Sequence, residues 1–191
     1  TRLFAQQGYP GTSMSDLARE CGISKPLLYH YVSDKYELLS EITESHVTRL
    51  EALVGEVASQ GLAPAPRLRE LIRRFVHEYA QARHDHGVLT QDVKFLEPKD
   101  RNRVLRKERA VVAAFASTIA QARPDLAKAA LDKPLTMLLF GMINWMFTWL
   151  SPDGRLRHDD MAPIVADLFL GGLGAVNSPS VTSAASVKAR D

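Results

Sequence analysis

The chain has 191 residues, of which 46% are hydrophobic and 24% are charged, and its formal net charge is +2. These are the proportions of an ordinary globular protein, so they exclude a disordered chain and a collagen-like or coiled-coil fibre. A net charge this close to zero does not by itself point to nucleic acid. The single cysteine, Cys21, cannot form an intramolecular disulfide, which favours a reducing compartment and predicts a cytoplasmic protein.

Prolines and apolar periodicity divide the chain into segments of helical length. Pro64, Pro98, Pro124 and Pro134 lie where the three-and-four spacing of apolar residues lapses, as expected of a residue that breaks a helix interior. Alternating runs of β-branched or aromatic residues are nearly absent, so we expect no sheet. The sequence predicts an all-α fold with about nine helices, over residues 2–7, 14–21, 25–32, 35–58, 65–84, 88–95, 100–122, 133–150 and 159–170.

Residues 12–35 have the pattern of two short helices joined by a tight turn. Ser13 can cap the first helix, and Gly22 stands just past its end, where a left-handed residue lets the chain turn. Ser24 can cap the second helix, and Pro26 lies in its first turn, where a missing N–H is tolerated. The apolar face of the first helix consists of Met14, Leu17, Ala18 and Cys21. This arrangement is typical of a helix-turn-helix.

The outer face of the second helix contains the residues suited to binding DNA. It is what remains once Ile23, Leu28 and Val32 are assigned to the core. Lys25 can donate to guanine O6 or N7 in the major groove, whereas hydroxyl and phenol donors suit phosphate oxygens. Lys35, at the start of the next helix, can pair with a phosphate. The predicted DNA-binding residues are Ser13, Ser24, Lys25, Pro26, Leu27, Tyr29, His30, Tyr31 and Lys35.

Residues 3–39, LFAQQGYPGTSMSDLARECGISKPLLYHYVSDKYELL, resemble the N-terminal domain of the TetR/AcrR transcriptional regulators. The Phe-Ala and Gly-Tyr of the first helix, the Thr-Ser cap, the Gly-Ile-Ser-Lys turn and the Leu-Tyr-His-Tyr helix follow one another in that family's order. The resemblance implies a repressor, not an enzyme, that binds a palindromic double-stranded DNA operator as a homodimer. It places Ser24 to Leu27 at base edges and adjacent phosphates, and Tyr29, His30, Tyr31 and Lys35 on the DNA backbone. Pro26 and Leu27 depart from the family's frequent Gly and Thr, so Leu27 is expected to contact a thymine methyl.

Two apolar segments near the end of the chain are candidates for a subunit interface. Residues 133–150 have large apolar side chains on every face, and residues 159–173 add a second apolar helix. The resemblance implies that both pair with their copies in a second subunit; a monomer core is the alternative. Since residues 135–150 are shorter than the roughly 20 residues of a membrane span, we expect no membrane partner. The predicted domains are a helix-turn-helix domain at 1–44 with a truncated first helix, a ligand-binding and dimerisation domain at 45–175, and a disordered tail at 176–191.

The larger domain resembles the effector domain of the same family. Residues 140–173, FGMINWMFTWLSPDGRLRHDDMAPIVADLFLGGL, resemble more narrowly the branch that controls sterol, fatty-acid or phenylacetate breakdown and responds to acyl-CoA thioesters. Residues 67–109 have a net charge of +5, including Arg103 and Lys107, which suits the phosphates of coenzyme A. Asn144 is expected to be buried and to need a hydrogen-bond partner. The predicted ligand-binding residues are Phe75, Tyr79, Arg106, Arg109, Phe115, Phe140, Asn144 and Trp145.

Three other functions remain open at this point. The chain could regulate efflux or stress genes by sensing an uncharged hydrophobic compound, act as a helical enzyme on acyl thioesters, or bind only protein. The sequence lacks a G-x-S-x-G or H-E-x-x-H motif, so no catalytic residue is predicted. His77, His84 and His86 have no thiolate or carboxylate partner at a ligand spacing, so we predict no metal. We expect no cofactor, only a small-molecule effector, with an acyl-CoA as the first candidate.

Overall fold

A computed structural model describes residues 1–150 and 154–177, which contain ten α-helices, one 3-10 turn at Val93–Phe95 and no strand. The all-α prediction is confirmed. Residues 151–153 and 178–191, the latter being most of the predicted tail at 176–191, lie outside the described residues. The helices are α1 Arg2–Gly11, α2 Met14–Glu20, α3 Lys25–Tyr31, α4 Lys35–Ser59, α5 Pro64–Gln81, α6 Arg83–Asp92, α7 Pro98–Ala122, α8 Pro124–Lys128, α9 Asp132–Trp149 and α10 His158–Ala175.

Helix α8 is the element that the sequence prediction lacked. It has five residues and begins at Pro124, directly after α7. One turn and a half of helix is too short to show apolar periodicity, so its existence depends on Leu126, which is fully buried in the larger core. None of the described helices is long and apolar enough to cross a membrane.

Local capping sets the ends of α2 and α3, as the sequence predicts. Ser13 Oγ accepts a hydrogen bond from Asp16 N at 3.2 Å, and the Asp16 carboxylate accepts from Ser13 N at 3.1 Å. This reciprocal pair is a capping box. Gly22, between the two helices, has φ 67°, a left-handed conformation that would strain any residue with a Cβ. Ser24 Oγ accepts from Leu27 N at 3.3 Å and caps α3.

We expect Ser13→Ala to destabilise the protein by about 1 kcal/mol, because it leaves the first-turn N–H of α2 without its acceptor. Urea denaturation of the variant checks this, since the midpoint should fall while the m-value stays constant. Ser15→Ala is the matched control, an exposed serine in the first turn of the same helix. An equal loss of stability in both variants would contradict the role of the cap.

Cys21 does not belong to the apolar face of α2, so that part of the sequence prediction is wrong. The helix ends at Glu20, and Cys21 is its exposed C-cap residue. The face formed by Met14, Leu17 and Ala18 would reach position 21 only if the helix continued for another turn. Because the chain turns away at Gly22, the thiol lies outside the core of the helix-turn-helix.

Two hydrophobic cores are connected by α4 and α7. The first core joins α1, α2 and α3 to α4, and it includes Val88 and Leu89 of α6 and Val104 of α7. The second core lies among α4, α5, α7, α8, α9 and α10. Helix α4 contributes to both and crosses residue 44, the predicted domain boundary, without a break. Helix α1, which precedes the helix-turn-helix, and α4, which follows it, pack directly against α6.

Candidate DNA-binding surface and ligand cavity

Helix α3 presents six of its seven side chains outward. Leu28 alone is buried, against the apolar face of α2. Tyr31 is 72% exposed although it is aromatic, and no described residue covers it. Large apolar side chains grouped on one exposed face indicate a partner-binding surface. The exposed residues, all among those predicted to bind DNA, are Lys25, Pro26, Leu27, Tyr29, His30 and Tyr31.

Cationic and hydroxyl donors lie close together on this face. The ammonium nitrogen of Lys25 is 5.9 Å from the ring centroid of Tyr29. The rings of His30 and Tyr31 meet edge to face, with centroids 5.7 Å apart. The face thus combines one fixed positive charge, two phenols, an imidazole and an aliphatic residue on a single short helix. These are the groups that contact phosphates, guanine and thymine methyl groups in a major groove.

Lys35 has a structural role that the sequence did not reveal. Its ammonium group donates to Tyr9 O at 2.9 Å and to Thr12 O at 3.0 Å. It also lies 4.4 Å from the centroid of the Tyr9 ring. Two of its three N–H groups therefore hold the end of α1 to the start of α4, which leaves one for a phosphate. Partners 23 and 26 residues away along the chain leave no local signal in the sequence.

Helices α6 and α7 hold α1 and the start of α4, which flank the helix-turn-helix, through two hydrogen bonds. Tyr9 N, just after the kink at Gly8, donates to the buried Asp92 carboxylate of α6 at 3.0 Å. Tyr36 of α4 donates from its phenol to Asp100 of α7 at 2.7 Å. A movement of α6 would therefore act directly on the end of α1.

Two of the four basic residues predicted on α7 to suit a ligand, Arg103 and Lys107, are engaged in ion pairs. Arg103 pairs with Glu44 at 2.7 Å and with Asp100 at 3.1 Å. Lys107 donates to Thr48 Oγ1 at 2.7 Å and lies 3.8 Å from Glu51. These contacts hold α7 to α4, so neither side chain is available to neutralise phosphate without breaking them. Arg106 and Arg109 are exposed on the same helix.

A half-open cavity of about 240 Å³, here called the inner cavity, lies among α4, α5, α6, α7 and α9. Its apolar lining includes Val47, Leu50, Val111 and Phe140, and its polar lining consists of Tyr79, His86, Thr90, Glu108 and Asn144. Burial raises the pKa of Glu108 above the ordinary value for a glutamate. No lysine or arginine is among the residues described in its wall. The cavity therefore suits an apolar, uncharged part of a ligand.

An open cleft of about 690 Å³ adjoins the cavity between α1, α6 and α9. The two spaces share His86, Thr90 and Asn144 in their walls. The cleft is also lined by Arg83, whose charge the sequence analysis did not associate with a ligand. On the opposite side the cleft reaches Ala5 and Gln6 of the first helix. A ligand that filled both spaces would contact α1 as well as the larger core.

The structure distributes the predicted ligand residues over four locations: the cavity, the cleft, the buried core and the exposed surface of α7. Tyr79, Phe140 and Asn144 line the inner cavity, and Asn144 and Trp145 line the cleft. Asn144 is exposed at the opening, so the prediction that it is buried is wrong: it lies on the outward side of α9 with Gly141 and Trp145, whereas Ile143 beside it is buried. Phe75 and Phe115 are fully buried core residues whose ring centroids lie 4.9 Å apart. Neither they nor Arg106 and Arg109 line the cavity or the cleft.

A buried pair of histidines lies at the boundary of the cavity and was missed by the sequence analysis. His46 Nε2 lies 3.3 Å from His86 Nδ1, and the ring of Tyr79 stacks on His86 at 3.7 Å. Burial lowers the pKa of His46 to about 3, with the charges of His86 and Arg49 acting in the same direction. Burial lowers the pKa of His86 to about 4, although Asn144 opposes the shift. Both rings are neutral at pH 7.

The outer faces of α9 and α10 carry a stripe of exposed apolar side chains. Leu138 and Trp145 of α9 are 65% and 68% exposed, and Leu168 of α10 is 63% exposed. Their spacing follows the turns of the two helices, so they form continuous strips rather than scattered residues. The other large members are Met137, Trp149 and Ile164.

The two halves of the chain each match a known family of domains. Residues 1–42 match the bacterial regulatory proteins of the tetR family, and residues 61–173 match the tetracyclin repressor-like C-terminal domain. The first match contains the helix-turn-helix, and the second contains most of the helices of the larger core.

Individual proteins similar to this chain are also transcriptional regulators. The HTH-type transcriptional repressor KstR2 of Mycobacterium tuberculosis is 26% identical over 182 residues, which cover 90% of this chain and 87% of KstR2. A TetR-family transcriptional regulator from Bordetella parapertussis is 35% identical, with a TM-score of 0.85 and 93% of each chain covered. AibR, in complex with isovaleryl coenzyme A and operator DNA, is 24% identical, with a TM-score of 0.74 and coverage of 87% and 91%. The chain belongs to the tetR family of bacterial regulatory proteins.

Proposed function

We propose that this regulator is a repressor that binds a palindromic operator as a homodimer and is released by a small effector. The observation that carries the proposal is the outer face of α3, where a lysine, two tyrosines and a histidine are exposed together. The repressor KstR2 is similar over most of its length, which supports repression rather than activation. In this proposal residues 1–44 bind DNA, and residues 45–175 bind the effector and form the dimer.

The residues of α3 divide between base contacts and backbone contacts. Lys25, in the first turn, reaches a guanine edge, and Leu27 meets a thymine methyl. Tyr29, His30 and Tyr31 donate to phosphate oxygens and fix the position of the helix. Ser13 and Ser24, which cap α2 and α3 and are exposed, contact the DNA backbone beside these helices.

Lys25→Ala is expected to lower operator affinity by about 10- to 100-fold and to relax the preference for the base that it contacts. Fluorescence anisotropy with a duplex selected from a random DNA library measures both quantities. Lys128→Ala is the control, because it removes the same charge from an exposed position on α8. If the affinity and base preference of Lys25→Ala equalled those of the control, α3 would not be the reading helix.

A single helix-turn-helix buries too little DNA surface for a specific site, since one module covers about 600 to 1,000 Å². Two copies solve this when they bind half-sites one helical turn, about 34 to 36 Å, apart. The exposed apolar strips of α9 and α10 provide the surface on which two copies would join. We therefore place the homodimer contact within residues 133–150 and 159–173.

An acyl-CoA thioester is the effector that the cavity and cleft support best. AibR, which has the same fold, binds isovaleryl coenzyme A. In this chain the apolar cavity would hold the acyl group, while the open cleft beside Arg83 would hold the polar carrier. An uncharged hydrophobic compound is the second candidate, and the absence of Lys and Arg from the described cavity wall favours it.

Release from DNA would follow from a shift between two arrangements of the DNA-binding helices. The ligand would press on α6, which holds the end of α1 through Tyr9 and Asp92. It releases DNA only if it binds the separated arrangement more tightly than the DNA-competent one. Titrating acetyl-, isovaleryl- and octanoyl-CoA into the preformed operator complex tests this. Dissociation by any of them supports the thioester, and dissociation only by an uncharged apolar compound supports the second candidate.

A further inference from the structure

Two exposed lysines lie in the connection between α6 and α7, residues 93–99, which we call the α6–α7 turn. Lys94 and Lys99 both have exposed side chains. Leu96, between them, is 5% exposed and packs in the first core, to which Leu28 of α3 also belongs. The α6–α7 turn is therefore anchored in the same core as the helix-turn-helix, although it lies within the larger domain in sequence.

Two hydrogen bonds place the α6–α7 turn between the end of α1 and the start of α4. Just before the turn, the Asp92 carboxylate accepts from Tyr9 N at 3.0 Å. Within the turn, Glu97 N donates to the phenol oxygen of Tyr36 at 3.0 Å. Tyr9 and Tyr36 stand just before and just after residues 12–35, which form the helix-turn-helix. The α6–α7 turn is thus next to both ends of the helix-turn-helix.

Helices α4 and α7 begin at the same end of the molecule. Their first turns meet where the phenol of Tyr36 donates to Asp100 at 2.7 Å. Farther along both helices, Lys107 donates to Thr48 Oγ1 at 2.7 Å, so the two helices run in the same direction. Lys35, the predicted phosphate contact, is the first residue of α4. The α6–α7 turn, which leads into α7, therefore lies at the end of the molecule that carries Lys35.

Two aromatic rings in contact join Lys94 to Lys35. The ammonium nitrogen of Lys94 is 5.2 Å from the ring centroid of Phe95, which is 5.6 Å from that of Tyr9. The ammonium nitrogen of Lys35 is 4.4 Å from the same Tyr9 centroid. An ammonium group is attracted to the face of an aromatic ring at such distances. The two positive charges therefore belong to one continuous surface, which extends beyond the helix-turn-helix.

The lysines of the α6–α7 turn are not neutralised by acidic neighbours. Lys107, farther along α7, lies 3.8 Å from Glu51 of α4. Lys94 and Lys99, in contrast, form no ion pair with any described residue. Glu97 is the only acidic residue within the α6–α7 turn, which leaves a net positive charge. A positive segment that continues a DNA-binding surface suits the phosphates of a duplex.

We propose that Lys94 and Lys99 contact the DNA backbone, so that the α6–α7 turn extends the DNA-binding surface beyond the helix-turn-helix. The inference rests on the proposed function, because it adds residues to the same operator complex. Phosphate contacts carry no sequence information, so these lysines add affinity and position the protein without reading bases. His86 and Thr90 of α6 line both the inner cavity and the cleft, so a ligand that moved α6 would also move Lys94.

The salt dependence of operator binding tests the inference. Each lysine that contacts a phosphate contributes to counterion release, and a homodimer contains every lysine twice. Lys94→Ala and Lys99→Ala should each reduce the slope of log Kobs against log salt concentration by about 2, and the double variant by about 4. Fluorescence anisotropy with the selected duplex between about 50 and 200 mM salt measures these slopes. The base preference should not change, whereas Lys25→Ala should relax it.

Lys128→Ala is the matched control, because it removes an exposed lysine from α8, and it should keep the slope of the unmutated protein. Slopes of Lys94→Ala and Lys99→Ala that equal the slope of this control overturn the inference, while operator binding by the unmutated protein leaves the proposed function standing. If the unmutated protein selected no duplex from the random library, the proposed function would fall together with the inference.

Neutral phosphate analogues provide a second test that does not depend on salt. A methylphosphonate placed at one position of the operator removes a single backbone charge. At least one such substitution should weaken binding by the unmutated protein and by Lys128→Ala, but not by the double variant Lys94→Ala and Lys99→Ala. If every position affected all three proteins equally, the α6–α7 turn would make no contact with the DNA backbone.

Discussion

The double variant Leu138→Arg and Leu168→Arg is expected to be a monomer and to bind a palindromic operator at least about 100-fold more weakly than the unmutated protein. Both leucines are about two-thirds exposed, at 65% and 63%, on the apolar strips of α9 and α10. In a symmetric dimer each subunit contributes both new arginines, so four guanidinium groups would be buried against apolar surface. Analytical ultracentrifugation measures the assembly state, and anisotropy with the selected duplex measures affinity.

A control variant and a measurement of helix content separate loss of the subunit contact from general effects of added charge or misfolding. Gln60→Arg with Ser117→Arg adds the same charge at exposed polar positions outside α9 and α10, and it should remain a dimer. Circular dichroism should show the same helix content in both variants, because the substituted side chains are exposed in the subunit. A dimeric Leu138→Arg and Leu168→Arg variant with unchanged affinity would move the subunit contact to another surface.

Acidification is expected to destabilise the protein through the buried histidine pair. In the unfolded chain each histidine has a pKa of about 6.5, whereas in the folded protein the pKa of His46 is about 3 and that of His86 is about 4. At pH values between the folded and the unfolded pKa, the unfolded state binds more protons than the folded state. The free energy of unfolding therefore falls as the pH falls below about 6.5. The expected loss is about 2 kcal/mol for each histidine between pH 8 and pH 5.

The other titratable groups around the pair affect the size of the effect but not its direction. Arg49 stays protonated throughout this range and disfavours a charged His46, whereas Asp85 favours it. Glu108 acts oppositely to the histidines, because burial raises its pKa and the folded state then gains stability on protonation. The net change from pH 8 to pH 5 should still be a loss of stability, because the ordinary pKa of both histidines, 6.5, lies inside this range and their shifts are large, whereas the ordinary pKa of Glu108, 4.5, lies below it.

Urea unfolding at a fixed protein concentration, repeated from pH 8 to pH 5, measures this loss. The double variant His46→Gln and His86→Gln should be less stable at pH 8 but should lose little or no further stability on acidification. His77→Leu with His84→Leu removes two exposed histidines and should leave the slope unchanged. An unmutated protein with constant stability over this range, or a double glutamine variant with the same slope, would show that the pair is not buried neutral.

The sequence by itself determined the helices and the exposed face of α3. Caps such as Ser13 and Ser24 act within three residues, and apolar spacing identifies the buried side of a helix from its own residues. These signals are local, so they do not depend on how the helices are later arranged. For the same reason the exposed residues of α3 could be predicted to bind DNA from the sequence of that helix. The five-residue α8 was missed because it is too short to show apolar periodicity.

Only the tertiary structure decided which side chains meet across the chain. His46 and His86 are 40 residues apart, and Tyr9 and Asp92 are 83 apart, yet each pair forms a hydrogen bond. Helical periodicity predicted a helix over residues 100–122 but not the acidic partners on α4 that pair with Arg103 and Lys107. For the same reason the position of Asn144 at an opening could not be predicted. The directions of side chains between helices depend on how helices cross, and that is fixed by packing of residues distant in sequence.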